Sequence, residues 1–177
     1  MLPLTDIEQR AARVKLMIFD VDGVLTDGSM HYDANGECMK TFFVNDGLGI
    51  QLLNQSGVQT AIISARTTPI VNVRAQVLGI THVYQGHRDK RVAFQELTAK
   101  LGIAPEECGY IGDDVIDMPL LARVGFAVTV PTGHPEVRHR VHYVTRAGGG
   151  RGAVREVCDL IMKAQGTYDK VLAGYFD

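Results

Sequence analysis

Cysteine is scarce in this chain and forms no motif. Cys38, Cys108 and Cys158 are odd in number, scattered, and contain no CxxC pair. That pattern argues against structural zinc and against a disulfide framework, and it suits a reducing compartment. A basic surplus is also missing. Eighteen Lys and Arg against twenty Asp and Glu leave a net charge of −2, whereas a non-specific nucleic-acid binder carries positive excess. No apolar run approaches the roughly 18 residues that a membrane span requires. Asp6 and Glu8 fall where a secretory leader would need an apolar stretch. The expectations are therefore no nucleic-acid partner, no membrane partner and a cytoplasmic location. Internal repeats and a dividing linker are lacking too, so residues 1–177 read as one domain.

What is present is globular: 46% apolar and 21% charged residues, in a chain long enough to bury a core without covalent staples. Short apolar runs lie at 16–19, 58–63, 82–84, 109–111, 126–130 and 142–144. Several are nearly continuous in apolar residues, as strands covered on both faces must be. Between them the spacing predicts helices at about 47–56, 67–78, 89–101, 115–123, 135–140 and 151–164. The last places Val154, Val157, Cys158 and Ile161 on one stripe. Thr5-Asp6-Ile7-Glu8 reads as a capping box opening a short first helix. This alternation predicts an α/β, Rossmann-like parallel sheet with helices on both faces.

One segment breaks the alternation. Runs at 29–32 and 38–44 flank Asp33-Ala34-Asn35-Gly36, a strong turn signal, and predict a β-hairpin inserted at about 28–44. An isolated hairpin cannot bury Met30, Tyr32, Met39 and Phe42, so these need the parent domain or another subunit. Ala147 to Gly152 reads as a flexible glycine-rich connector, and 166–177 as a tail with little pattern.

In open parallel sheets, functional groups collect at the carboxyl ends of strands. Here those ends carry Asp20 and Asp22, then Ser64, then Lys90 just beyond the third run, then Asp113 and Asp114. Residues i and i+2 of extended chain face the same way, so Asp20 and Asp22 share a site. Clustered carboxylates call for a cation or for protonation, and oxygen-only donors favour magnesium. A carboxylate beside a cation can attack phosphorus. Lys90 can balance the charge of the transferring group, and Ser64 can supply a hydroxyl. Asp22 can protonate the leaving alcohol and later activate water. Taken singly, Ser64 also reads as the N-cap of the helix near Thr67, and His134, His139 and His142 as surface or cap residues without metal spacing.

These residues resemble the haloacid dehalogenase (HAD) superfamily. Asp20-Val21-Asp22-Gly23-Val24-Leu25-Thr26-Asp27-Gly28 matches its first motif, and Ser64 and Lys90 its second and third. Gly112-Asp113-Asp114-Val115-Ile116-Asp117 matches its fourth. The resemblance implies a capless HAD phosphatase with Asp20 as nucleophile and Asp22 as general acid/base. It also implies Mg2+ held by Asp20, the Asp22 backbone carbonyl and Asp113, with Asp114 and Asp117 in support. The segments Phe43–Gly47, Ser64-Ala65-Arg66 and 149–156 narrow the resemblance to the 3-deoxy-D-manno-octulosonate 8-phosphate phosphatases, over nearly the whole chain. Those enzymes act in lipopolysaccharide inner-core sugar synthesis and form tetramers through their hairpins. Family substrate contacts map onto Asp22, Phe43, Val44, Asn45, Asp46, Gly47, Arg66, Arg74, Lys90 and Asp114. Arginine forks suit the carboxylate of such a sugar acid. Two positions depart from the pattern: Ala65 stands where glycine is expected, and Gln51 where some relatives are basic. Three other readings stay open at this point: a nine-carbon sialic-type 9-phosphate phosphatase, a phospho-acceptor receiver and a non-catalytic partner subunit. A receiver carries its acceptor aspartate on the third strand, whereas Asp20 closes the first.

Overall fold

In the computed structural model, which describes residues 4–176, six parallel strands form the central sheet. They are β1 (Leu16–Phe19), β4 (Gln59–Ile63), β5 (His82–Tyr84), β6 (Cys108–Ile111), β7 (Phe126–Thr129) and β8 (Tyr143–Val144). Their spatial order is β5-β4-β1-β6-β7-β8. The chain starts at β1, builds outward through β4 and β5, then returns to β1's other side for β6, β7 and β8. The switch in winding direction therefore lies at β1, where open α/β sheets place their ligands.

β1 shows why this sheet needs two helical layers. Met17 and Phe19 enter one core, Leu16 and Ile18 the other, as the two-residue period of a strand dictates. The first core is closed by α1 (Leu4–Ala12), α2 (Val44–Gln55), α3 (Pro69–Leu78) and α7 (Ala153–Ala164). The second is closed by α4 (Lys90–Leu101), α5 (Met118–Leu121) and α6 (Pro135–Arg138). The stripe Val154, Val157, Cys158 and Ile161 is fully buried, with α7 packed on α1 and α2. No helix among the described residues is long and apolar enough to cross a membrane.

The hairpin is present, as β2 (His31–Asp33) paired antiparallel with β3 (Gly36–Met39). It is shorter than the runs suggest. Val44 is the first residue of α2, exposed to solvent, and Phe43 is its N-cap. Phe42 packs on the main core, while Tyr32 is 58% and Met39 49% exposed.

Four other expectations change. Helix α1 already includes Leu4 and Thr5, so Thr5 does not cap it. Thr68, not Ser64, caps α3, accepting from the Ile70 amide, with Pro69 in the first turn. The tail holds a short helix, α8 (Tyr168–Ala173), whose Tyr168, Val171 and Leu172 lean on the core. The glycine-rich segment is not a loose connector. Gly150 N donates to Val24 O at 2.9 Å, and a side chain at Gly149 would overlap the Gly23 carbonyl. These glycines let two backbones touch behind the Asp20–Gly28 loop.

Candidate active site

Because β1 lies between β4 and β6, the residues following these three strands emerge side by side. Phe19 is in register with Ile62 on one side and Ile111 on the other. Asp20 N donates to Ile111 O at 3.0 Å, continuing the ladder one residue beyond the strand. Ser64 N donates to Tyr84 O at 2.9 Å and does the same for β4. Asp20, Asp22, Ser64, Arg66, Asp113 and Asp114 thus line one cleft of about 240 Å³, together with Gly28, Ala65 and Ile116.

The turn after β1 sets the angle between Asp20 and Asp22. Val21 O accepts from the amides of Leu25 and Thr26, and Thr26 Oγ1 accepts from those of Gly23 and Gly28. Gly23 adopts φ +87°, and a side chain there would collide with the Asp113 carboxylate. A glycine is required on both counts.

Lys90 opens α4, after the cap Asp89. Its side chain does not line the cleft; it lies buried beneath Asp20. Nζ donates to Asp20 Oδ1 at 2.8 Å, to Asp117 Oδ1 at 2.6 Å and to the Tyr110 hydroxyl at 2.9 Å. The Tyr110 hydroxyl donates to Asp117 Oδ1 at 2.6 Å. Asp117 Oδ2 accepts from the amides of Asp113 and Asp114 at 2.9 and 3.1 Å. Burial works against the Lys90 charge, but Asp20 and Asp117 outweigh it and hold the ammonium above the usual lysine range. Burial raises the Asp20 carboxyl to about 7, with the charge of Asp117 adding to it and Lys90 opposing. Burial likewise raises Asp113 to about 7, reinforced by Asp117 and Asp114.

Asp20, Asp113 and Asp117 each bring a carboxylate oxygen within 4.8 Å of the others. Both oxygens of Asp117 already accept from protein donors, so Asp20 and Asp113 are the carboxylates left to face a cation. An all-oxygen donor set with surplus negative charge fits Mg2+, which binds through few carboxylates and keeps several waters.

The remaining predicted residues lie apart from this cleft. Phe43 caps α2, and Val44 and Asn45 are exposed. Asp46 is buried and accepts from the amides of Gly152 and Arg155 at 3.2 and 2.8 Å, tying α2 to the start of α7. Gly47 packs against Arg74, whose guanidinium sits 5.4 Å over the Phe42 ring. Gln51 ties α2 to α3 through the Val77 carbonyl. Two residues near the cleft had no sequence motif to mark them. Tyr110 looks like any core aromatic of a strand, and Lys40 like a surface lysine of a hairpin.

The fold and this site define a haloacid dehalogenase-like hydrolase, and the model of that family matches residues 59–154. Among curated proteins, 3-deoxy-D-manno-octulosonate 8-phosphate phosphatase of Yersinia pestis is 52% identical over 160 residues, 90% of this chain and 86% of that protein. Its counterpart from Escherichia coli K12 is 49% identical over 165 residues, 93% and 88% of the two chains. The chain belongs to the 3-deoxy-D-manno-octulosonate 8-phosphate phosphatase family of these hydrolases. Among solved structures, the Moraxella catarrhalis enzyme in complex with magnesium ion, phosphate ion and the KDO molecule superimposes with a TM-score of 0.94. It is 46% identical, and the match covers 98% of this chain and 99% of that one.

Proposed function

We propose that this chain hydrolyses 3-deoxy-D-manno-octulosonate 8-phosphate to the free sugar acid and phosphate, through a phosphoryl-aspartate on Asp20. The observation that carries the reading is the ion pair at the cleft floor, Lys90 Nζ to Asp20 Oδ1 at 2.8 Å. It aims one carboxylate of a crowded acidic cluster and leaves the other oxygen for attack. Relatives about half identical over nine-tenths of the chain support the choice of substrate. The magnesium-bound complex of the Moraxella relative supports magnesium as the cofactor.

Asp20 attacks phosphorus as the bond to the sugar oxygen breaks, and Asp22 donates a proton to that oxygen. Water then attacks the phosphoryl-aspartate, giving its proton to Asp22 and freeing Asp20. Ser64 and Arg66 hold the phosphoryl oxygens at the cleft wall, and Lys90 balances charge from below. Magnesium, held by the Asp20 and Asp113 carboxylates and the Asp22 carbonyl, supplies the positive charge that lets a phosphate dianion approach an anionic nucleophile. Asp114 at the rim, and Arg74 with Phe43–Gly47 farther out, recognise the sugar acid. Those outer residues do not line the cleft of one chain.

Residues 1–177 act as one cytoplasmic domain that assembles as a tetramer through the 28–44 hairpin. Exposed Tyr32 and Met39 support this, since a two-stranded hairpin cannot cover them itself. The test compares phosphate release, with magnesium, from the eight-carbon 8-phosphate, a nine-carbon 9-phosphate and simple hexose phosphates. Strong preference for the first is expected. Equal, weak hydrolysis of all would remove the substrate assignment. An Asp20→Asn protein with wild-type turnover would refute the covalent route. Sizing by light scattering tests the tetramer.

A further inference from the structure

Asp22 is tied from behind by a residue outside the motifs. Lys40 follows β3 at the base of the hairpin, between exposed Met39 and exposed Thr41. Its own side chain is only 1% exposed, and Nζ lies 2.5 Å from Asp22 Oδ1. An inward lysine is costly unless an anion meets it. Asp22 Oδ2 lies on the other side, 3.7 Å from Arg66 Nε, and both of those residues line the cleft. Lys40 does not line it. The hairpin reaches the same place a second time, since the Arg66 guanidinium donates to the Tyr32 hydroxyl.

We infer that Lys40 is a positioning residue for proton transfer: it engages Asp22 Oδ1 and so presents Oδ2 to the reacting oxygen. This rests on the reading of Asp20 as nucleophile and Asp22 as proton carrier. A short carboxylate on a turn has several rotamers. Pinning one oxygen selects the rotamer in which the other meets the leaving group and, later, water. The hairpin thereby has a task inside each chain, separate from any contact between chains.

The two chemical steps make different demands, which gives the test. In the first, the Asp20–phosphorus bond forms, the ester bond breaks, and a sugar oxygen needs the Asp22 proton. Nitrophenolate leaves without a proton, so its departure does not need Asp22. In the second, a water–phosphorus bond forms, the Asp20–phosphorus bond breaks, and the water proton goes to Asp22 whatever the substrate was. Lys40→Met should therefore release a rapid burst of nitrophenol from p-nitrophenyl phosphate, near one per site, followed by slow turnover. On the sugar acid phosphate it should show no burst and a kcat lower by about 10- to 100-fold, at or below the bottom of the range of full general acid–base contributions, because Asp22 is mispositioned and not removed. The burst amplitude counts only competent sites, so a partly misfolded preparation is corrected by the same measurement. In an Asp22→Asn background, Lys40→Met should cost little more. Burst rate and turnover falling by the same factor, or neither changing, would overturn the inference. So would an undiminished loss on top of Asp22→Asn. A fully active Asp20→Asn enzyme would instead bring down the phosphoryl-aspartate reading on which it stands.

Discussion

Tyr110→Phe isolates the floor of the cleft from its walls. The hydroxyl donates to Asp117 Oδ1 at 2.6 Å and accepts from Lys90 Nζ at 2.9 Å, and all three side chains are buried. Removing one oxygen leaves the ring packing intact but leaves a buried carboxylate and a buried ammonium each one partner short. Losing a buried hydrogen bond of this kind costs about 1–3 kcal/mol. A chain of this size loses roughly 2–4 °C of melting temperature per kcal/mol, so the expected drop is roughly 2–12 °C. Burial first, and then the charge of Asp117, push the phenol well above its ordinary range, so it stays protonated and the drop should hold at mildly alkaline pH. Catalysis should fall through Lys90, which no longer sits squarely under Asp20, with kcat reduced about tenfold and KM little changed. Thermal unfolding by circular dichroism and phosphate release on the same preparation give both numbers. A melting temperature within about 1 °C of wild type, with unchanged kcat, would refute the argument that this hydroxyl bridges the charges.

Gly149→Ala places a methyl group against the Gly23 carbonyl; the loop carrying Asp22 must shift, costing about 1–3 kcal/mol by urea unfolding and lowering kcat. Burial alone would raise the Glu156 carboxyl, but the Tyr143 hydroxyl and the amides of Arg146 and Ala147 outweigh it and hold it below its ordinary 4.5. The folded value is the lower one, so this stability is fully present above about pH 4.5 and is lost as pH falls through the folded value. Glu156→Gln should therefore flatten the stability profile in that acidic window, as read by unfolding at stepped pH. Inorganic phosphate should raise the melting temperature of wild type with magnesium present and fail to do so in excess chelator, and Asp113→Asn should abolish the difference.

Much of the fold is written in local periodicity. β1 and β5 have the bounds that their apolar runs imply; in β1, buried on both faces, there is no room for polar alternation, while β5 is a half-buried edge strand. The errors fall where a local pattern meets a stronger neighbour. Phe43-Val44 carries a strand-like pair, yet α2 takes Val44 as its first residue. α8 is six residues long, too short for a periodic stripe to register. Gly149 and Gly150 look like slack in one dimension, because their reason is a loop far earlier in the chain, at Gly23 and Thr26. The site divides in the same way. Asp20, Ser64 and Asp113 could be grouped in advance because strand ends converge in any parallel sheet. The burial of Lys90 beneath Asp20, the bridging hydroxyl of Tyr110 and the inward turn of Lys40 all depend on side-chain depth, which no spacing encodes.

Charge at two depths accounts for why so many carboxylates share one small site. On the floor, Lys90 meets Asp20 and Asp117, and the second carboxylate is satisfied only because Tyr110 and two amides join in. At the cleft wall, four aspartates stand against one guanidinium, that of Arg66. A surface with that balance repels a phosphate dianion. It becomes a phosphate site only when positive charge is added between the carboxylates and the ligand, where Asp20 and Asp113 already stand close and are pushed toward holding protons. The burial and carboxylate crowding that push Asp20 toward protonation are thus what make the site depend on a cation, which would keep Asp20 anionic and able to attack. Lys90 cannot fill that role, because it is committed on the floor. Asp22 is held by a second lysine, Lys40, on the side away from the cleft, whereas Lys90 is shared between Asp20 and Asp117. That leaves the cleft-facing oxygen of Asp22 the one best placed to exchange a proton instead of binding metal.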